Sequence, residues 1–226
     1  MASELRRIAD FNTPPLSPPE YCRVVDQDEK DFVNSSVNRA YKRLVGKRDG
    51  VACVLDAEDW GTTRSIARQI GYGLRIALAQ RCPKAYSSME RHLVKMRNVK
   101  RLVKGDYTGL NALLKAGEVT LDHADFCSSW KKERASILER LKLGLYAKLA
   151  LIRVTVCSRC NTDTDVDTVR AIVQDLRQAA KKGGYRVKAI KVKDWAIHKE
   201  LRKDPTSVAY MYGKRTLNML FLVSEA

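Results

Sequence analysis

The stretch VACVLDAEDWGTTR, residues 51–64, decides the fold. Val51, Ala52, Cys53, Val54 and Leu55 form an unbroken apolar run, the pattern of a strand covered on both faces in a parallel sheet. Asp56 closes the run, and a turn carrying Glu58, Trp60 and Gly61 leads to Thr62 and Thr63, which can cap a helix. That helix carries Ile66, Ala67 and Ile70 and stops at Gly71 and Gly73. A strand that ends in an acid and feeds a helix is the unit of an open α/β sheet, and such sheets bind ligands where their strands end.

On the N-terminal side of this unit, Phe32, Val33, Val37, Tyr41, Leu44 and Val45 recur at helical spacing between Asp28 and Lys47, so a helix should pack on the sheet before the first strand. Asp49-Gly50 makes the turn. Before that, Pro14, Pro15, Pro18 and Pro19 are four of the six prolines in the chain and favour an extended arm. The sequence thus divides into a proline-rich arm, residues 1–25, and one domain, residues 26–226.

On the C-terminal side, Leu74 to Ala79 reads as a second strand ending at Gln80, Tyr86 to Met96 as a helix, and Val99 to Val103 as a third strand running into Lys104-Gly105-Asp106. Leu110 to Leu114 is a short helical turn, and Val119 to Leu121 a fourth strand ending at Asp122. A helix over Trp130 to Leu143 should bury Ile137, Leu138, Leu141 and Leu143, and Leu149 to Val156 is an apolar, β-branched fifth strand. Thr164 to Lys182 is the clearest amphipathic helix, with Val166, Val169, Ile172, Val173, Leu176 and Ala180 on one face and Gly183-Gly184 as its stop. Arg186 to Val192 and Asn218 to Val223 are a sixth and a seventh strand.

The 226 residues, 45% hydrophobic, suffice for one sizeable core. No apolar run approaches the roughly 18 residues of a membrane span, and Met1 to Glu20 lacks the layout of a signal peptide, so the chain reads as soluble and intracellular. Six scattered cysteines in a chain this large read as reduced thiols. Charge is the loudest compositional signal: 42 Lys and Arg against 26 Asp and Glu give a formal net charge of +16, the footprint of a polyanionic partner such as DNA or RNA.

This order of elements resembles the class I S-adenosylmethionine-dependent methyltransferase family over about Val51 to Ala226. The resemblance implies a Rossmann-like α/β fold: a seven-stranded, mostly parallel sheet with a final antiparallel strand pair and helices on both faces. It further implies S-adenosylmethionine as cofactor, held by Asp56, Gly61, Gln80 and Asp106. Asp56 matches the acid that ends the family's nucleotide-binding strand, Asp106 in Gly-Asp-Tyr its adenine-side acid, and Asp122 the strand-four position facing the reacting methyl group, hence the catalytic candidate. Two departures stand out. Glu58 and Trp60 replace small glycines that let backbone approach the cofactor, leaving Gly61 alone, and Gln80 replaces the second-strand acid that grips the ribose. The stretch Leu121 to Arg159 looks most like uncharacterised methyltransferase-like proteins of large DNA viruses.

Each site has a plainer alternative. Asp56 either orients the turn toward a cofactor or caps the next helix. Asp122 and Asp125 are substrate contacts, with His123 or Tyr107, or further caps. His123, Cys127, Cys157 and Cys160 could converge on zinc or remain separate groups, and no metal is assigned. Trp195, Tyr210 and Tyr212 could stack a base or pack on their own hairpin. Two functions follow: a nucleic-acid methyltransferase, or a noncatalytic form of the same fold that binds nucleic acid or, through its arm, neighbouring subunits, as in a virion. The absence of G-x-G-x-x-G after the first strand argues against a dinucleotide oxidoreductase.

Overall fold

A computed structural model describes residues 27–46, 49–56, 60–126, 128–157, 164–193, 195, 210–212 and 216–226. The proline-rich arm, Glu58, Cys127, Cys160 and His198 lie outside them. Strands β1 (Val51–Leu55), β2 (Arg75–Gln80), β3 (Val99–Lys104), β4 (Val119–Asp125), β5 (Tyr146–Cys157), β6 (Tyr185–Ala189) and β8 (Thr216–Glu225) form one sheet in the order β3-β2-β1-β4-β5-β8-β6. The first five strands are parallel, and β8 inserts antiparallel between β5 and β6. A three-residue strand β7 (Tyr210–Tyr212), not predicted from sequence, pairs with the start of β8.

Alternation along each strand divides the core in two. Ala52 and Val54 of β1 face α1 (Gln27–Leu44), α2 (Gly61–Gln69) and α3 (Pro83–His92), packing with Val33, Val37, Tyr41, Ile66, Leu78 and Met89. Val51 and Cys53 face α4 (Trp130–Lys142), α5 (Asp165–Lys182) and a 3-10 turn over Tyr107–Leu113. Since β1 is apolar on both sides, it reads as an unbroken run. Chain order reverses at β1, whose neighbours β2 and β4 are reached by connections on opposite faces. In open α/β sheets, ligands bind outside the strands' carboxyl ends at such a reversal.

Several boundaries differ from expectation for identifiable reasons. Pro83 does not merely break β2; it occupies the first turn of α3, where its missing N–H has no intrahelical partner to lose. In α4, Ile137 and Leu141 are buried as expected, Leu138 only partly, and Leu143 is 55% exposed. The position facing the core between them is Arg140, with no exposure at all. Strand β4 runs three residues past Asp122 to Asp125. The α5 cap is Thr164, whose hydroxyl accepts from Asp167 N–H at 3.1 Å.

Two glycines are demanded by close approach. A Cβ on Gly50 would overlap the Thr120 side chain, and one on Gly183 would overlap the Leu141 carbonyl oxygen. The outermost strands carry Lys100 and Lys104 on β3 and Arg186 and Lys188 on β6, all exposed. None of the described helices is long and apolar enough to cross a membrane.

Candidate cofactor and substrate edge

Asp56 stands at the end of β1 and is 8% exposed. Its two carboxylate oxygens accept the Thr62 and Thr63 backbone N–H groups at 3.2 and 2.7 Å, so it caps α2, one of the two roles the sequence left open for it, in place of the threonine hydroxyls. Burial pushes its pKa up, opposed by the Thr63 amide and the charge of Lys30. Trp60, immediately before α2, is in the left-handed conformation at φ 58, the one non-glycine residue with positive φ among those described. Its indole is 2% exposed and lies in the cluster with α1, α2 and β2. A bulky residue in that conformation costs about 1–2 kcal/mol, which ring burial offsets.

Gln80 closes β2 and is engaged at both ends of its amide. Nε2 donates to the Asp56 carbonyl at 3.0 Å, and Oε1 accepts from Cys82 N–H at 2.9 Å. The side chain therefore ties the ends of β1 and β2 together. Next to it, Arg81 pairs with Asp106 and makes a bidentate pair with Glu133, at 2.9 and 3.2 Å. Asp106, 36% exposed, and Gly61, half-buried at the start of α2, are within reach of a ligand. Asp56 and Gln80 end neighbouring strands, Gly61 begins α2 and Asp106 follows β3, with Arg81 between Gln80 and Asp106.

Asp122 lies elsewhere. It sits inside β4 on the α4 side, fully buried, and accepts from the Tyr107 hydroxyl at 2.5 Å, from the Tyr146 hydroxyl and from Arg140 NH1. Arg140 also donates through Nε to Asn111 Oδ1 at 3.0 Å and stands 4.7 Å above the Tyr107 ring. Burial is the largest single influence and disfavours the Arg140 charge, but Asp122, with smaller contributions from Cys53, Tyr107 and Tyr146, holds the guanidinium pKa well above its usual value. Burial and the same carboxylate drive both tyrosines well above theirs. The acid at the carboxyl end of β4 is Asp125, with a 24% exposed side chain, three residues beyond the position taken from the family pattern.

On the opposite face of β4 and β5, Arg153 is 3% exposed. Its NH1 donates to His123 Nδ1 at 2.9 Å and to Asn34 Oδ1 at 3.4 Å, and lies 3.4 Å from Asp125 Oδ2. Nε and NH2 donate to Asn218 Oδ1 at 3.3 and 2.9 Å, and the Thr155 hydroxyl donates to the same oxygen at 2.6 Å. His123 is fully buried; burial, then Arg153, depresses its pKa well below the usual 6.5. The signal for this cluster was an arginine within the apolar run LALIRVTV, residues 149–156, because a buried cation demands partners.

Of the four groups weighed as zinc ligands and left unassigned, His123 has Nδ1 occupied by Arg153, Cys157 is partly buried at the end of β5, and Cys127 and Cys160 lie outside the described residues. Burial pushes the Cys53 thiol up to about 12, so it stays protonated. Trp195 is 5% exposed and packs in the core; the side chains of Tyr210 and Tyr212 lie outside the described set. Part of the basic surface is gathered in a groove of about 600 Å³ between α4 and α5, lined by Lys131, Arg134, Lys142 and Lys182 together with Glu139 and Asp175.

No protein-family model matches the chain, and no curated protein matches it by sequence. Solved structures do match by fold. A Clostridium thermocellum protein provisionally named an rRNA-methylase superposes with a TM-score of 0.54 at 11% identity, covering 84% of this chain and 95% of its own. TYW2 from M. jannaschii, solved with AdoMet, gives 0.52 at 13% identity over 90% and 78%. The magnesium protoporphyrin IX methyltransferase ChlM from Synechocystis PCC 6803, solved with bound SAM, gives 0.51 at 11% identity over 88% and 81%. The chain therefore has the Rossmann-like methyltransferase fold, with the mostly parallel sheet and antiparallel end expected from sequence.

Proposed function

We propose that this chain is a nucleic-acid-associated, S-adenosylmethionine-dependent methyltransferase. The observation that carries the reading is the reversal of strand order at β1, the point where sheets of this kind bind ligands, with Asp56, Gly61 and Asp106 following the ends of β1 and β3. A net charge of +16 and the cation-lined groove between α4 and α5 support nucleic acid as the partner, as does the name given to the C. thermocellum protein of the same fold.

The residues fit the cofactor unevenly. Gly61 at the start of α2 and Asp106 past β3 are accessible, and they would hold the methionine and adenine ends. Gln80 is already engaged at both ends of its amide, which orients it toward Asp56 and Cys82 rather than toward a ribose. When bound, S-adenosylmethionine supplies an activated methyl group; the protein's part is alignment and exclusion of water. Asp56 fixes the α2 start and so positions the Gly61 backbone. Asp125, rather than the core residue Asp122, is the strand-four acid placed to contact a methyl acceptor. Arg153 is its cationic neighbour at 3.4 Å.

Engagement of Gln80 and the burial of Trp60 in the turn favour a second reading, a noncatalytic form that keeps the fold and the nucleic-acid surface. Calorimetry separates the two. Saturable micromolar binding of S-adenosylmethionine supports the enzyme, and no heat at millimolar ligand supports the noncatalytic form. For both, affinity for nucleic acid should fall steeply with salt, since each neutralised phosphate releases counterions. A flat dependence removes the polyanion from either reading.

A further inference from the structure

The cluster around Arg153 contains two nitrogens that the fold holds in place and leaves unused. Arginine only donates, so the contact from Arg153 NH1 makes His123 Nδ1 the acceptor and puts the imidazole proton on Nε2. Asn218 Oδ1 receives three donors, from Arg153 Nε, Arg153 NH2 and Thr155 Oγ1, which fixes the amide with Nδ2 as its donor end. Among the described residues, His123 Nε2 and Asn218 Nδ2 have no hydrogen-bond partner, although both residues are fully buried. An orphaned buried donor costs about 1–3 kcal/mol. Two such donors oriented by one guanidinium call for a partner.

We propose that His123, Arg153 and Asn218 form a subsite for an oxyanion, a carboxylate or phosphate group, beneath α1 at the carboxyl ends of β4 and β5 and the amino end of β8. Three observations fix the chemical class. Both unused groups are donors, so the ligand atom is an acceptor. The guanidinium beneath them favours a negative ligand, and Lys30 on α1 adds positive charge felt at both His123 and Asp56. Asp125 is the partly exposed member of the cluster, with a 24% exposed side chain. The two nitrogens are sealed from solvent, so an incoming group must displace part of their cover. The seam between α1 and α2 is suited to that, being made of hydroxyl and amide contacts: Asn38 Nδ2 to Ser65 Oγ at 3.0 Å and Gln69 Nε2 to Ser35 Oγ at 2.7 Å.

The subsite does not depend on the cofactor reading, and two sources could fill it: the amino-acid carboxylate of an S-adenosyl ligand, or a phosphate of a nucleotide. Asn218→Asp is the informative variant, since it keeps Oδ1 facing Arg153 and replaces the unused donor with a repelling oxygen. Titrations of parent and variant use S-adenosylhomocysteine, methylthioadenosine, which lacks the carboxylate, adenosine 5′-monophosphate and inorganic phosphate. A tenfold or greater loss for S-adenosylhomocysteine, with methylthioadenosine unchanged, assigns the carboxylate; an equal loss for the monophosphate and phosphate assigns the phosphate. His123→Phe should reproduce the same loss, and thermal melts establish that both variants fold. The proposal is overturned if no oxyanion probe binds the parent at 10 mM, the outcome expected of an internal water alone. It is overturned equally if both folded variants keep every affinity within twofold.

Discussion

Replacing Asp122 with asparagine should destabilise the domain far more than a change of two atoms ordinarily does. The carboxylate is fully buried and accepts from Arg140, Tyr107 and Tyr146, and no solvent is available to replace it. The asparagine would keep the shape but leave the Arg140 cation without its counter-charge and set an amide N–H₂ against a donor. Removing one partner of a buried ion pair costs about 3–5 kcal/mol, against a total stability of about 5–15 kcal/mol for a typical domain. At about 2–4 °C per kcal/mol for a chain of this size, the melting temperature should fall by about 6–20 °C. The assay is urea unfolding of Asp122→Asn, Arg140→Met and the double variant. The double variant should be more stable than Asp122→Asn alone, because the stranded cation has gone. A loss below about 1 kcal/mol in Asp122→Asn, with methyl transfer abolished, would refute this reasoning and return Asp122 to the catalytic role inferred from sequence.

His123 predicts an acid limb: its folded pKa lies well below the unfolded 6.5, so the folded state binds fewer protons. Its contribution is complete above pH 6.5 and falls below it by up to about 1.4 kcal/mol per unit until the folded value is reached. Unfolding free energies measured across pH 4–7 should show that component in the parent and lack it in His123→Gln; parallel curves would contradict it. Gly50→Ala should cost about 1–3 kcal/mol, because its Cβ displaces Thr120 and breaks the 2.9 Å bond from the Tyr41 hydroxyl. An unchanged urea midpoint would show that the β1 turn is not tight. Trp60→Gly gives up about 3–5 kcal/mol of ring packing and regains about 1–2 kcal/mol from a relaxed backbone, a net loss. Calorimetry with S-adenosylmethionine on that variant shows whether the vacated volume joins the cofactor crevice, and unchanged affinity separates the two.

The central unit was legible because β1 is apolar on both faces and ends in a carboxylate with an immediate local use. Local information failed where a partner lies far along the chain. An acid at position 122 read as the end of β4, since nothing near it announces Arg140, Tyr107 or Tyr146. With its charge met inside the core, the strand simply continues to Asp125. Arg140 was missed for the complementary reason, Leu143 having been preferred on hydrophobicity alone. The departure at Gln80 was visible in sequence, but its meaning was not. Only the geometry shows the amide spent on the ends of β1 and β2. Strand β7 is three residues long, too short for any periodicity to register.

The position of β8 bears on how the chain is made. It is the sole neighbour that β5 has on that side and the strand on which β6 depends, yet it is synthesised well after both. At about 5–20 residues per second, the roughly 60 residues between the end of β5 and the start of β8 take about 3–12 s to translate. During that interval a twelve-residue, predominantly apolar strand has one open flank of peptide groups. A nascent chain stalled in that window exposes adhesive surface that the finished molecule hides, so a ribosome pausing between β6 and β8 would make the protein a client of chaperones.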